Sequence, residues 1–588
     1  MATRTLVDIF EKSIREYAGR KLFGIKEEGA YKWLTYERFG EEVTHFRGAL
    51  AHLGVTTGDT VAIIADNRIE WAVADYATLG LGARFCPMYE AQRFEDWAYI
   101  IEDSEAKVLI VASQAIFDKV SPLIDELDTL ERVIYIDGER SENSYHRMLG
   151  VGMENPAELT LPVPSDVCAL IYTSGTTGKP KGVLLSHENV VSNIESMNSF
   201  ELVRTDDVSL TFLPWAHAFG HTVELHLMFA NGAAMGLVES IATITDNLLE
   251  IRPTILFAVP RIFNQIYEGV HKKIEEESPL KQRIFNAAVH TAEKVREDLD
   301  EGRRPGVWTR TKSNVLDSVV FSKIRDRFGG RLRYAISGGA ALSPVVAEFI
   351  DTLHITVLEG YGLTETAPLV TANVPGARKI GSAGRAIPGV EVFIEQSEDH
   401  PEGVGEVCVR GPNVMLGYHH LPEKTTEVLD EDGAFHTGDL GRIDEDGFLW
   451  LLGRIKEEFK LQNGKYVAPA ALEEQLQLSP FIDQAMIEGA NRPYPVAIIN
   501  LSSERLHQWA EDGGIEPEDA VDDERTYEMI EKEITRLTED VRAYEKPRKF
   551  LLVDEEWDVE NGLLTPTLKL RRNKLTDLYH DEIEALYD

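Results

Sequence analysis

The stretch Tyr172-Thr173-Ser174-Gly175-Thr176-Thr177-Gly178-Lys179-Pro180-Lys181-Gly182 gathers hydroxyls, glycines and two lysines within a few residues. Glycine leaves its backbone N–H open to close approach, and N–H groups, hydroxyls and ammonium groups together suit a polyphosphate. It is not a Walker loop, because Gly175 and Gly178 are too close and no Ser or Thr follows Lys179. A glycine-rich stretch standing alone reads as a flexible surface loop. Here an apolar run, CALIYT, precedes it. That places Thr173, Ser174, Gly175, Thr176, Thr177, Gly178 and Lys181 at a strand's end, where α/β sheets bind ligands.

Other reactive residues follow in separate short texts. In Tyr361-Gly362-Leu363-Thr364-Glu365-Thr366, Thr364 can donate to a phosphate oxygen and Glu365 offers a hard oxygen to Mg²⁺. Within His436-Thr437-Gly438-Asp439, Asp439 suits bidentate bonding to ribose hydroxyls; alone it would be a turn aspartate. His217, in Leu213-Pro214-Trp215-Ala216-His217, has His221 and His226 nearby, and a structural histidine is a standing alternative. No HExxH pattern accompanies them, so their spacing does not point to zinc. Lys569 closes Leu564-Thr565-Pro566-Thr567-Leu568-Lys569 and has Arg571 and Arg572 beside it. It is either a surface lysine or a cation aimed at an anionic substrate.

These residues need a scaffold, and apolar runs alternating with helical text predict α/β architecture. VAIIADN then WAVADYATLGLGA reads as strand then helix, as does KVLIVAS then DKVSPLIDELDTL. PTILFAV, LRYAISGG and ITVLEGYG are further strands, the last two ending in glycines. Between Glu268 and Arg333, Ile284, Ala288, Ala292, Val295 and Leu299 recur at helical spacing and predict an amphipathic excursion. After Gly381 the text turns β-rich. The chain's 588 residues exceed one core's usual reach, and a boundary is expected near Leu452–Lys456. No apolar stretch is long enough for a spanning helix, and the start lacks a signal-peptide pattern. Cys86, Cys168 and Cys408 are far apart and form no CxxC pair, so a cytoplasmic setting with reduced cysteines is expected. The formal net charge of −39 disfavours nucleic acid. Dispersed acidity fits either a salt-adapted surface or an ordinary acidic one.

Taken in order, these texts resemble the motifs of the AMP-forming acyl and aryl ligases, the adenylate-forming family. Ser337-Gly338-Gly339-Ala340 resembles its adenine-side loop, Gly453-Arg454-Ile455-Lys456-Glu457 its hinge, and Leu564–Lys569 its C-terminal lysine motif. Val259-Pro260-Arg261-Ile262-Phe263-Asn264-Gln265-Ile266-Tyr267-Glu268 resembles the long-chain fatty acyl subgroup, as does Leu568 where other members usually carry Gly. The resemblance implies a large N-terminal domain, 1–452, of stacked α/β sheets with a β-rich subdomain, and a small mobile α+β lid, 453–588. It implies ATP, Mg²⁺ and CoA, with a long-chain fatty acid passing through acyl-AMP to acyl-CoA. Thr364, Glu365, His217 and Lys569 are then the catalytic set, and Glu365 with Thr173 the metal ligands. Gly338, Gly339, Ala340, Glu359, Gly360, Tyr361, Asp439 and Arg454 join the 173–181 loop around the nucleotide. Lys456 is the pivot about which the lid exchanges Lys569 for a face admitting CoA past Gly464. An acyl-AMP ligase serving a carrier protein and a non-catalytic homologue are the alternatives. Oligomeric state and transient contact with a membrane's inner face stay open.

Overall fold

The computed structural model describes residues 4–173, 179–300, 303–397, 400–539 and 541–588. Ser174, Gly175, Thr176, Thr177 and Gly178 therefore lie outside the described residues. The chain divides into two compact units, one of residues 1–173, 180–392 and 409–435, the other of 174–179, 393–408 and 436–588.

Unbroken apolar text makes the central strands of the first unit. Thr60–Ile64 is buried at every residue, as suits a parallel strand covered on both faces. It lies between Arg84–Met88 and Ala106–Ser113, and the seven-stranded sheet continues outward to Arg132–Asp137 on one side. On the other side follow Val167–Thr173, Lys181–Ser186 and the short strand Gly417–Tyr418. A second sheet runs in the order Ile255–Ala258, Tyr334–Ser337, Thr356–Gly362, Leu369–Ala372 and Arg385–Ala386, its first two pairings parallel. A third holds Ala30–Thr35, Lys21–Glu27, Ala234–Leu237 and Val208–Thr211. Helix Ile69–Leu79 is apolar nearly all round and buried from Trp71 to Leu79, the pattern of a core helix.

The expected excursion is several helices: Pro260–Glu275, Pro279–Asp300, Val307–Leu316 and shorter turns to Asp326. Of the predicted stripe Ala288 is buried, but Ile284 is exposed, and Phe285 and Thr291 on the adjacent positions are buried with Ala288. Likewise the helix expected over DKVSPLIDELDTL ends at Val120, where a 3₁₀ turn Ser121–Asp125 takes over with Pro122 in its first positions.

In the second unit, strands Glu391–Gln396, Gly405–Arg410, Phe435–Ile443 and Leu449–Arg454 form a sheet that lies mostly within it. A three-stranded sheet, Ile482–Glu488, Val496–Leu501 and Lys549–Val553, shows strand alternation directly. Ala485, Ile487, Ala497 and Ile499 face one core with Leu506, Ile530 and Ile534. Met486, Val496, Ile498 and Val553 face another with Trp557, Leu575 and Tyr579. All three cysteines are buried and none is in a disulfide. Among the described residues, no helix is long and apolar enough to cross a membrane.

Candidate active site

In the first unit, Thr173 ends one strand and Lys181 begins the next, and the two are opposite one another in an antiparallel pair. The glycine-rich text falls between these two strands in sequence. Lys181 Nζ lies 4.0 Å from the centre of the Tyr418 ring, a cation–π contact. The Tyr418 hydroxyl donates to Glu365 Oε1 at 2.8 Å. One phenol thereby contacts both a cation and a carboxylate. Tyr418 escaped the sequence reading because an aromatic after glycine has no spacing signature.

The turn Thr364–Thr366 is fixed from several sides. Asn193 Nδ2, on helix His187–Asn198, donates to the carbonyls of Thr366 and Leu369, and Asn193 Oδ1 accepts from Leu369 N–H at 2.7 Å. Met415 N–H donates to the Glu365 carbonyl at 2.8 Å. Thr364 is buried in this turn. Asn193, fully buried and 173 residues from Thr366, is a positioning residue that no local pattern reveals.

Gly338 leaves the carboxyl end of strand Tyr334–Ser337, which pairs in parallel with Thr356–Gly362. A Cβ at Gly338 would stand 3.3 Å from the Phe219 ring, a tight contact, and 3.6 Å from the Gly360 carbonyl, an ordinary one. Gly339 takes φ +87° and, with Ala340, is exposed. Neighbouring Glu359 and Tyr361 are half-buried. Glu359 Oε1 accepts from Gly381 N–H, and desolvation pushes its carboxyl up to about 7 against the pull of Gly381 N–H and Arg378. Half-buried His217 accepts the Phe219 N–H at Nδ1, at 3.2 Å, and Phe219 brings this segment against the Gly338 loop.

In the second unit, Asp439 and Arg454 are cross-strand partners, and Arg454 Nε lies 3.0 Å from Asp439 Oδ1. Asp439 is buried while Arg454 keeps about half its side chain in solvent. Lys569 joins them electrostatically. It retains an exposed surface, yet desolvation by surrounding atoms and then Arg454 lower its pKa, opposed by Asp439, Glu457 and Glu474. Thr565 holds its backbone by Lys569 N–H to Oγ1, 3.1 Å, and Thr565 N–H to the Lys569 carbonyl, 2.8 Å. Leu568 has φ +60°, the left-handed region, which explains physically why glycine is common before such a lysine. Lys456 and Gly464 lie on exposed turns outside this cluster, Gly464 with φ +82°.

The chain matches a family described as AMP-binding enzyme over residues 10–419 and one described as AMP-binding enzyme C-terminal domain over 457–588. It is 34% identical to the long-chain-fatty-acid–CoA ligase FadD15 of Mycobacterium bovis, covering 95% of this chain and 93% of that one. It is 31% identical to the peroxisomal long chain acyl-CoA synthetase 6 of Arabidopsis thaliana, covering 99% and 86%. Among solved structures, the adenylation domain of a carboxylate reductase from Mycobacterium chelonae is similar in fold, with TM-score 0.77 and 23% identity, covering 99% of this chain and 91% of that one.

Proposed function

The chain belongs to the AMP-binding enzyme family, and on that premise we propose that it is a long-chain-fatty-acid–CoA ligase. The observation that carries the chemistry is that one phenol, Tyr418, contacts both the Lys181 ammonium and the Glu365 carboxylate, a cation and a metal-binding acid, where strand Lys181–Ser186 begins. A carboxylate is a poor electrophile, so the fatty acid must first attack the α-phosphorus of ATP and expel pyrophosphate. Negative charge then grows on phosphoryl oxygens, and Lys181 and the Thr364 hydroxyl are the groups to meet it.

Glu365 fits Mg²⁺: Oε1 is held by the phenol, while Oε2 takes no hydrogen bond among the described residues and is a hard oxygen donor. Thr173 is the second proposed ligand. The ion supplies charge neutralisation at the polyphosphate. Gly338, Gly339, Ala340, Glu359, Gly360 and Tyr361 would bind the adenine side of the nucleotide, and Asp439 and Arg454 the ribose. His217 lines the acyl site.

Lys569, as an ammonium, offsets the approaching carboxylate and α-phosphate in this reading. Residues 453–588 act as the lid that turns about Lys456 to admit CoA past Gly464, a hinge motion. A long alkyl tail contributes about 0.8 kcal/mol per buried CH₂, which favours long acids and also keeps them in membranes. The enzyme accordingly works in the cytoplasm and draws substrate by transient contact at a membrane's inner face.

The test is pyrophosphate release over acids from acetate to long-chain, with and without CoA. Turnover should rise with chain length and give acyl-CoA; equal turnover on acetate rejects the substrate class. Lys569→Ala should lose pyrophosphate release by orders of magnitude yet convert supplied acyl-adenylate and CoA near the normal rate. Equal damage to both steps would make Lys569 structural.

A further inference from the structure

Away from the polyphosphate site, the core of the first unit holds three ionisable side chains with their ligand atoms facing one another. His221 Nε2 is 3.1 Å from His226 Nε2 and 3.2 Å from Asp75 Oδ2, and His226 Nε2 is 3.6 Å from the same oxygen. All three side chains are at most 1% exposed. We propose that Asp75, His221 and His226 form a structural site for a divalent transition-metal ion, zinc foremost.

Three physical arguments converge on a cation. The first is distance: a point equidistant from atoms so separated lies about 1.9 Å from each, close to the 2.0–2.2 Å of zinc–imidazole and zinc–carboxylate bonds. The second is proton bookkeeping. One proton shared among the three atoms can serve two of the three contacts and leaves the third as lone pair against lone pair, unless the Asp75 carboxyl carries a second proton. A cation at the centre serves all three at once. The third is the surrounding shell. Binding through Nε2 puts the proton of His226 on Nδ1, which can then donate to the Tyr76 oxygen 2.9 Å away, the second-shell bond that fixes a ligating imidazole. Asp75 Oδ1 has no hydrogen-bond partner among the described residues and is available as a fourth ligand atom. Glu224 stays out of the group, its Oε1 accepting from the Thr211 hydroxyl at 2.8 Å.

The backbone explains why the spacing conceals the pair. Residues five apart on an α-helix point about 140° away from each other. His221 and His226 lie on a π-helix, Phe219–His226, whose i to i+5 hydrogen bonds bring such residues onto one face. Asp75 arrives from helix Ile69–Leu79, 146 residues from His221. A metal would therefore pin that core helix to the segment that starts at His217, whose carbonyl accepts the His221 N–H at 2.9 Å.

The experiment uses the full chain without a histidine tag, expressed in minimal medium with zinc or with cobalt and dialysed against a chelator. Elemental analysis should find roughly one ion per chain, as a buried structural site requires. The cobalt form should show tetrahedral d–d absorption without a thiolate charge-transfer band. Asp75→Asn and His226→Gln should each cut the metal to below about a tenth of the parent. Less than about a tenth of an ion in the parent chain overturns the site, as does undiminished metal in either soluble variant. A thiolate band also overturns it, because the ion would then be at the cluster of Cys408, His436, Glu395 and Glu406. Should both variants fail to fold, the parent's metal content and cobalt spectrum decide alone.

Discussion

Glu365 has its carboxylate oriented by one phenol, so charge and orientation can be removed separately. Glu365→Gln keeps the size and loses the anion; pyrophosphate release should fall on the order of 10²–10³-fold while the unfolding midpoint holds. Tyr418→Phe removes only the hydrogen bond, and a loss nearer tenfold, partly recovered by raising Mg²⁺, should follow. Near-normal pyrophosphate release from folded Glu365→Gln would refute the metal role. Leu568 allows a stability test of a different kind. Its left-handed backbone costs a side-chain-bearing residue about 1–2 kcal/mol, and glycine gives back about 0.5–1 kcal/mol through its freer unfolded state. Leu568→Gly should therefore leave stability unchanged or raise it by up to about 1 kcal/mol in urea denaturation. A clear loss would mean that the exposed leucine side chain makes a contact worth more than the strain.

At the scale of elements, the strands were legible because burial on both faces demands continuous apolar text. Glycines at strand ends marked where ligands could approach. What stayed hidden was tertiary: Asn193 braces the Thr364 turn from another element, and Tyr418 meets Glu365 through a two-residue edge strand. The stripe through Ala288 held there but not at Ile284, because apolar periodicity does not say which of two adjacent residues finds a partner; Phe285 did. The first helix, Leu6–Glu16, is docked in a way that carries its own pH dependence. Leu6 N–H donates to His187 Nδ1 at 3.2 Å, and burial holds the His187 pKa down to about 4 although Asp166 and Asp8 pull upward. In the unfolded chain it returns to about 6.5, so between these values the unfolded state binds more protons. This contribution is complete above pH 6.5 and disappears as pH falls towards 4, a difference of at most about 3 kcal/mol. Stability measured at pH 7 and pH 4.5 should converge between the parent and His187→Gln as pH drops. Parallel pH profiles would remove His187 from the account.

Across the whole molecule, charge is the feature without a local explanation. Asp and Glu number 99 against 60 Lys and Arg, so even complete pairing leaves 39 carboxylates with no basic partner. Individual surface pairs such as Lys32 with Glu27, 2.8 Å apart and about half exposed, contribute little to stability and weaken in salt. The unpaired excess acts the other way, because its repulsion is spread over the fold and is relieved by screening. The excess outnumbers what such pairs can return, so the melting temperature should rise from low to molar KCl. Screening and general salt exclusion differ in shape. The Debye length is already about 10 Å at 0.1 M, so a charge effect should appear mostly below roughly 0.5 M, whereas exclusion grows steadily to molar concentrations. The same field opposes the approach of ATP and CoA, both polyanions, so their kcat/KM should increase over the low-salt range in which stability climbs. A flat or falling melting temperature, together with kcat/KM for ATP that declines from the first addition of salt, would show that local basic groups such as Lys181 outweigh the net charge both in holding the fold and in steering the nucleotide.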